Sequence, residues 1–168
     1  VASLGYSERE GTMKKTDRKN IRARLDLTHR MFDDKLTTNI AVMAYESKSP
    51  YGYNVGSAYR NACIQNPTQP IYDENGTYVE RPVYFYDNPV SLQQETNGMS
   101  RRRNIRFTGS MIYRPIEELS FKGSVTRKGQ SVLNGYYQTK KHPTTTESGY
   151  NGFASRYTED YIYNNVEL

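Results

Sequence analysis

The chain has 168 residues, only 35% of them hydrophobic, and a mean hydropathy of -0.89, which is little for a compact soluble core. Its 16 Tyr and 5 Phe, with Val and Ile in alternating runs, are nonetheless the residues of strands rather than of a disordered chain. The net charge of +5 is modest, the single Cys63 excludes an internal disulfide framework or a cysteine-clustered zinc site, and the longest apolar run, Ile40 to Tyr45, is far below the roughly 18 residues of a membrane-spanning helix.

In chain order, residues 1–9 are Tyr-bearing and strand-like, and a polar connection follows from Gly11 to Lys19. The first clear alternation fills residues 19–31. Ile21, Ala23, Leu25 and Leu27 take one face there, and Arg22, Arg24, Asp26, Thr28 and Arg30 the other. Phe32-Asp33-Asp34-Lys35 turns the chain into a second alternating run over 35–47, with Leu36, Thr38, Ile40, Val42 and Ala44 on one side. Residues 48–100 then form a connection far longer than a sheet needs, and loops beyond about 12 to 15 residues are usually functional or disordered. Within it, Ser57 is expected to cap a short helix through Ala58–Ile64 that ends before Pro67. Asn66-Pro67-Thr68 reads as a turn, and Asp73-Glu74-Asn75-Gly76 as a hairpin turn into Thr77–Glu80.

Alternation returns over 101–114, where Ile105, Phe107, Gly109, Met111 and Tyr113 oppose Asn104, Arg106, Thr108 and Ser110. A turn at Pro115–Glu118 leads to a partner strand over 118–129, with Leu119, Phe121, Gly123 and Val125 opposite Ser120, Lys122, Ser124 and Thr126. A loop is expected from Gly129 to Asn151, before a last strand over 151–168. Six strands result, with short turns at one end and long polar loops at the other. Both termini read as cut within a larger pattern.

Such asymmetry, with strands apolar on one face only, is the pattern of an outer-membrane barrel. In the second strand a one-residue slip would turn three arginines toward lipid, at about 2 to 4 kcal/mol for each one near the midplane. His29, Arg103 and Arg127 fall on the apolar parity, and all three are expected near strand ends, where that cost is small. Tyr6 and Tyr113 on the same parity suit interfacial aromatic belts.

The long connection carries Ala58-Tyr59-Arg60-Asn61-Ala62, Asn66-Pro67-Thr68-Gln69-Pro70-Ile71-Tyr72, Asp73-Glu74-Asn75-Gly76-Thr77-Tyr78 and Asn88-Pro89-Val90, preceded by Gly5-Tyr6-Ser7-Glu8-Arg9-Glu10-Gly11 near the start. In this order, and set between such hairpins, these segments closely resemble the SusC/RagA-like TonB-dependent outer-membrane transporters. The resemblance implies a segment of a large, plugged, all-β barrel of up-and-down antiparallel hairpins in the outer membrane of a Gram-negative bacterium, importing oligosaccharides or peptides. It also implies a SusD-like surface lipoprotein and the TonB complex as partners, with the plug and most of the barrel outside these residues. Outer-membrane lipid would surround the wall.

A glycan site needs aromatic faces and nearby amides, which Tyr51, Tyr53, Asn54, Tyr84, Phe85, Tyr86 and Asp87 offer in the long loop, and Asn134, Tyr136 and Tyr137 in the second. The same tyrosines could instead pack the loops against the rim. Arg22, Arg24, Asp26, Asn104, Arg106 and Lys122 are expected to line a polar lumen. No catalytic constellation, cofactor motif or metal-ligand spacing is found, and no RNA-binding signature or recognition helix accompanies Arg101-Arg102-Arg103, so neither an enzyme nor a nucleic-acid binder is expected. That arginine run reads first as a solvated strand end, the usual case for a charge run, and otherwise as a contact for the phosphates of nucleic acid or of a lipid headgroup. The principal alternative is a secreted β-sandwich carbohydrate-binding module, with the apolar strand faces closed inside.

Overall fold

A computed structural model describes residues 1–80 and 87–168. One antiparallel sheet of six strands, ordered β1 to β6 as in the sequence, runs through them: β1 (Ala2–Arg9), β2 (Arg18–Met31), β3 (Leu36–Pro50), β4 (Thr96–Ile116), β5 (Leu119–Thr139) and β6 (Gly152–Glu167). Among the described residues three short helices, α1 (Val55–Ile64), α2 (Pro89–Gln94) and α3 (Pro143–Glu147), lie in the connections at one end. The expected all-β, up-and-down architecture is therefore present.

The register decides what each face carries. Side chains directly opposite across antiparallel strands share a face, so the pairings Leu4↔Ala23↔Ala44↔Ile105↔Gly129↔Ile162 make one row across the sheet. Further rows follow below it: Ala2–Leu25–Val42–Phe107–Arg127–Asn164, Leu27–Ile40–Gly109–Val125–Val166, His29–Thr38–Met111–Gly123 and Met31–Leu36–Tyr113–Phe121. These five rows form an apolar band about 26 Å long along the strands. Phe107, from the same strand, and Val125, from the neighbouring one, both reach over Gly109 and cover the bare backbone that the glycine leaves. The other face carries Arg22, Arg24, Asp26, Tyr45, Asn104, Arg106, Lys122 and Lys128, with Arg24 and Asp26 bonded at 2.6 Å and the Arg22 guanidinium 5.4 Å from the Tyr45 ring centre.

No second sheet covers either face among the described residues. Ile21, Leu25, Ile40, Phe107 and Phe121 are between 40% and 57% exposed, and among the described residues the buried hydrophobic ones are Ala58 and Val132. Inward packing between two sheets, which the sandwich alternative requires, is not how these residues are arranged.

Two strands are longer than the alternation indicated. β4 begins at Thr96 rather than 101, and β5 continues to Thr139 rather than 129. The extra residues have no alternating apolar parity, and the strands persist there because each backbone still pairs, Thr96 with Gln138 through to Asn104 with Gln130. Arg127 is consequently not near a strand end but within β5, in the second apolar row. His29 and Arg103 lie nearer the two margins of the band. The Pro115 turn is also smaller than expected: β4 runs to Ile116, its register breaks between Tyr113 and Ile116, and Glu117 and Glu118 make the reversal. The break accommodates a residue that cannot donate to the ladder.

At the β2–β3 turn the Lys35 N–H donates to the Phe32 carbonyl at 3.1 Å, and Asp33 and Asp34 have φ of 51° and 65°. Phe32 shares the positive φ, at 56°, so three consecutive residues of the four-residue turn between Met31 and Leu36 stand in the left-handed region, where glycine alone carries no steric penalty. Replacing Asp34→Gly is therefore expected to stabilise the hairpin by about 0.5–1 kcal/mol, read as a higher urea midpoint at unchanged slope. An unchanged or lower midpoint would contradict this turn geometry.

Candidate functional site

The long-loop end of the sheet is a platform built largely from hydrogen bonds. Asn54, not Ser57, caps α1: its Oδ1 accepts from the Ser57 N–H at 3.0 Å, so the helix starts three residues earlier than expected. Asn88 caps α2 in the same way through the Val90 N–H at 3.0 Å, with Pro89 following it in the first turn. Its Nδ2 donates to the Ile71 carbonyl at 3.1 Å, and its own N–H donates to Glu80 Oε2 at 2.5 Å. Asn61, buried on α1, donates to the Asp87 carbonyl at 2.9 Å and joins the two helices. The expected hairpin at Asp73–Gly76 is present. Asp73 Oδ1 accepts from the N–H groups of Asn75 and Thr77, Gly76 sits at φ 75°, and Tyr72 pairs with Tyr78. Asn66 accepts from both the N–H and the hydroxyl of Thr68, the turn expected there.

Lys15 fastens this platform to the first connection. Its Nζ donates to the carbonyls of Gln93 at 2.7 Å and Thr96 at 2.6 Å, and to Asn97 Oδ1 at 3.1 Å. An ammonium placed among the carbonyls leaving a helix satisfies acceptors that have no partner within it. Burial draws the Lys15 pKa down, and the Glu95 carboxylate works against that. Burial likewise opposes ionisation of Glu95. The Thr139 hydroxyl, the Tyr78 hydroxyl at 2.7 Å and the charges of Lys141 and Lys15 outweigh it and hold the Glu95 carboxyl below its ordinary range.

The candidate ligand residues divide. Tyr51 meets Tyr136 edge-on at 5.9 Å, and Tyr136 leans on Phe153 at 5.9 Å. Tyr136 is seated on Gly52 and Gly98, where an added Cβ would strike its side chain. Tyr53 donates its hydroxyl to the Lys14 carbonyl at 2.7 Å, and Asn134 accepts from the Ser100 hydroxyl at 2.6 Å. These side chains, with Asn54, organise the platform. Asp87 is half-buried near the acidic Glu80 and Glu147. Burial first, then those two negative charges, raise its carboxyl pKa. Asn134, Tyr136 and Tyr137, expected in a loop, lie instead on β5, with Asn134 and Tyr136 on the polar face and the 46%-exposed Tyr137 on the opposite one. Tyr84 and Tyr86, and Phe85 between them, lie outside the described residues.

Arg22, Arg24, Asp26, Asn104, Arg106 and Lys122 do share one face, as their parity indicated. Sequence reasoning missed Tyr157, Tyr161 and Tyr163 on that face of β6, exposed and set against Asn134, Gln130 and Lys128. Their odd-numbered spacing, with Glu159 between, is the signal that would have found them. Tyrosine rings beside amides and cations can stack on a sugar ring and bond its hydroxyls. Among the described residues, no group of three His, Cys, Asp or Glu is placed to hold a metal ion. No family model matches the chain, and no curated protein matches it.

His142 is only 3% exposed and caps α3, its Nδ1 accepting from the Thr144 N–H at 3.2 Å. Capping through a ring nitrogen requires the neutral imidazole, and burial lowers the His142 pKa, with Glu95 opposing more weakly. Because the folded-state pKa lies below the ordinary value, the stability this cap lends is present above about pH 6.5 and lost as pH falls below it. An NMR titration should place the His142 midpoint below 6.5, with α3 loosening on the acid side. A second expectation concerns the Tyr136 seat: Gly98→Ala should cost about 1–3 kcal/mol and open the 51–95 connection to proteolysis. Unchanged cleavage kinetics would mean that the seat does not hold the loop.

Proposed function

We propose that these residues are wall and outer loop of a TonB-dependent outer-membrane importer of the SusC/RagA-like kind, carrying oligosaccharides or peptides. The observation that supports this reading best is the uncovered apolar band: five rows of side chains on one face of a single sheet, with charged residues on the other. Monomeric soluble proteins rarely leave so large an apolar surface in water. Its length of about 26 Å along the strands is of the order of the apolar band of an outer-membrane barrel, about 25 Å. Short turns at one end and helix-bearing loops at the other agree with periplasmic and extracellular ends.

On this reading the outer edges of β1 and β6 join further strands, because unpaired N–H and C=O groups cost several kcal/mol each in hydrocarbon. Arg22, Arg24, Arg106 and the β6 tyrosines then face the lumen, and the Lys15-fastened platform faces the substrate and a SusD-like lipoprotein. Passage would be gated through TonB by parts of the protein outside these residues, with no bond made or broken. Arg127 is the residue least comfortable in this arrangement. It lies one row above the middle of the band, beside Gly129, whose missing side chain leaves its path to the charged margin open.

The test is where the native protein is found and what it carries. It should fractionate with the outer membrane and require detergent for extraction, and cells lacking it should lose uptake of a labelled oligosaccharide or peptide. Recovery as a soluble secreted protein would instead favour the carbohydrate-binding module. Within the membrane form, Ile40→Arg in the middle row should lower folding stability in lipid vesicles by about 2–4 kcal/mol. Asn39→Arg, one residue along on the polar face, should change it little, and equal effects would remove the assignment of the lipid face.

A further inference from the structure

At the loop-side margin of the apolar band the register assembles a cluster that its own acid does not neutralise. The Glu46 carboxylate is shared by three cations: Arg103 Nε at 2.6 Å, Arg101 Nη2 at 3.0 Å and Lys48 Nζ at 3.2 Å. All four side chains are on the apolar-band face, in the two rows directly above Ala44 and Ile105, whereas Arg102 is on the opposite face, between Ser47 and Val132. The sequence run of three arginines is thus divided between two faces by the pleat.

From this geometry we propose that Lys48, Arg101 and Arg103 bind the phosphate headgroup of an acidic lipid whose acyl chains lie on the apolar rows beneath. The proposal rests on the membrane reading above and adds a named lipid chemistry to it. The carboxylate is a structural counter-ion that orients the cations, since one negative charge against three leaves a local excess of two. Each guanidinium has five N–H donors in a fixed fork. Glu46 engages two of those of Arg101 and one of Arg103, so donors remain, and the Arg103 side chain is 52% exposed. A phosphate oxygen pair is the partner that such a fork accepts bidentately.

Position selects a lipid over a nucleic acid or free phosphate. Arg103 stands one row above Ala44 and Ile105, and Lys48 and Arg101 one row beyond it, so a ligand that uses both features has an anionic head joined to a hydrocarbon body. Exposed Arg127 on the same face adds a further cation below the margin, while the remaining acids of these rows are Asp160, across on β6, and Glu8, paired to Lys19 at 2.7 Å.

The experiment uses the protein as its gene encodes it, floated with vesicles of phosphatidylcholine alone or of phosphatidylcholine mixed with phosphatidic acid. The expected result is insertion into both, with a preference for the phosphatidic-acid vesicles that falls about fivefold in Arg103→Gln and is kept in Arg102→Gln, which removes the same charge from the other face. Insertion into both vesicles with no preference in the unaltered protein would overturn the lipid site and leave the membrane reading standing. A preference lost equally in the two variants would reduce it to overall charge and overturn it as well. A protein that floats with neither vesicle would overturn the membrane reading and the lipid site together. The comparison of the two vesicle types with unaltered protein needs no variant to fold.

Discussion

A slip of one residue between β3 and β4 would bring Arg106 and Asn104 to the face of Ile40, Val42 and Ala44, and send Phe107 and Ile105 among Arg22 and Arg24. In a sheet with a large core, packing against a second layer would resist such a slip. Here, among the described residues, Ala58 and Val132 are the buried hydrophobic ones, and neither lies in the band. Register has to be held by the strands' own devices. The left-handed turn at Phe32–Asp34 pins β2 to β3, the break at Pro115 and the Glu117-Glu118 reversal pin β4 to β5, and Val125 of β5 packs with Phe107 of β4 over the bare backbone of Gly109. The ion cluster on Glu46 then ties Lys48 of β3 to Arg101 and Arg103 of β4 in the same register. Pleat and register together decide that three consecutive arginines serve two faces.

The platform above the band is organised by a different principle. Its buried groups are mostly polar: Asn61, Asn88, Ser91, Thr96, His142 and Thr145. Each buried amide is spent on a backbone group of another segment, as Asn61 is on Asp87 and Asn88 on Ile71. Networks of this kind fix one arrangement when their members are satisfied, because an unpaired member in a low-dielectric surrounding is costly, and among the described buried side chains the Thr96 hydroxyl alone has no partner. Lys15 is the long-range member, joining the first connection to residues 93–97 across the top of the sheet.

What was legible in the sequence follows from this division. Alternation located β2 to β5, since each crosses a region where one face is apolar and the other charged, and it assigned Arg22, Arg24, Asp26, Asn104, Arg106 and Lys122 to a common face, whereas β1 and β6 were legible only as tyrosine-bearing, strand-like segments. It stopped short where that contrast ends. Thr96–Ser100 and Gln130–Thr139 continue as strands on backbone pairing alone, which leaves no periodic trace. The Asp73–Gly76 hairpin and the Asn66 turn were readable because their chemistry is local. Helices α2 and α3 were missed although both carry Pro in the first turn after a capping side chain, Asn88 and His142. The Tyr136 seat was unreadable, because Gly52, Gly98 and Phe153 meet it only through the fold.

The face that carries the apolar rows is also the face with the least support from the chain itself. Burial supplies most of the free energy that offsets the conformational entropy of ordering a backbone, about 1–2 kcal/mol per residue. Six strands whose large apolar side chains remain around half exposed draw little of it from one another. The sheet therefore depends on what lies against Ile21, Ile40, Phe107 and Phe121, and that neighbour must be apolar over the band and able to meet cations at its loop-side margin. A second protein layer would meet the first demand but would have to bury Arg103 and Lys48 at their own edge or fall short of them. The lipid leaflet proposed above would meet both, since its anionic surface and its hydrocarbon are stacked in the same order as the Glu46 cluster and the rows below it.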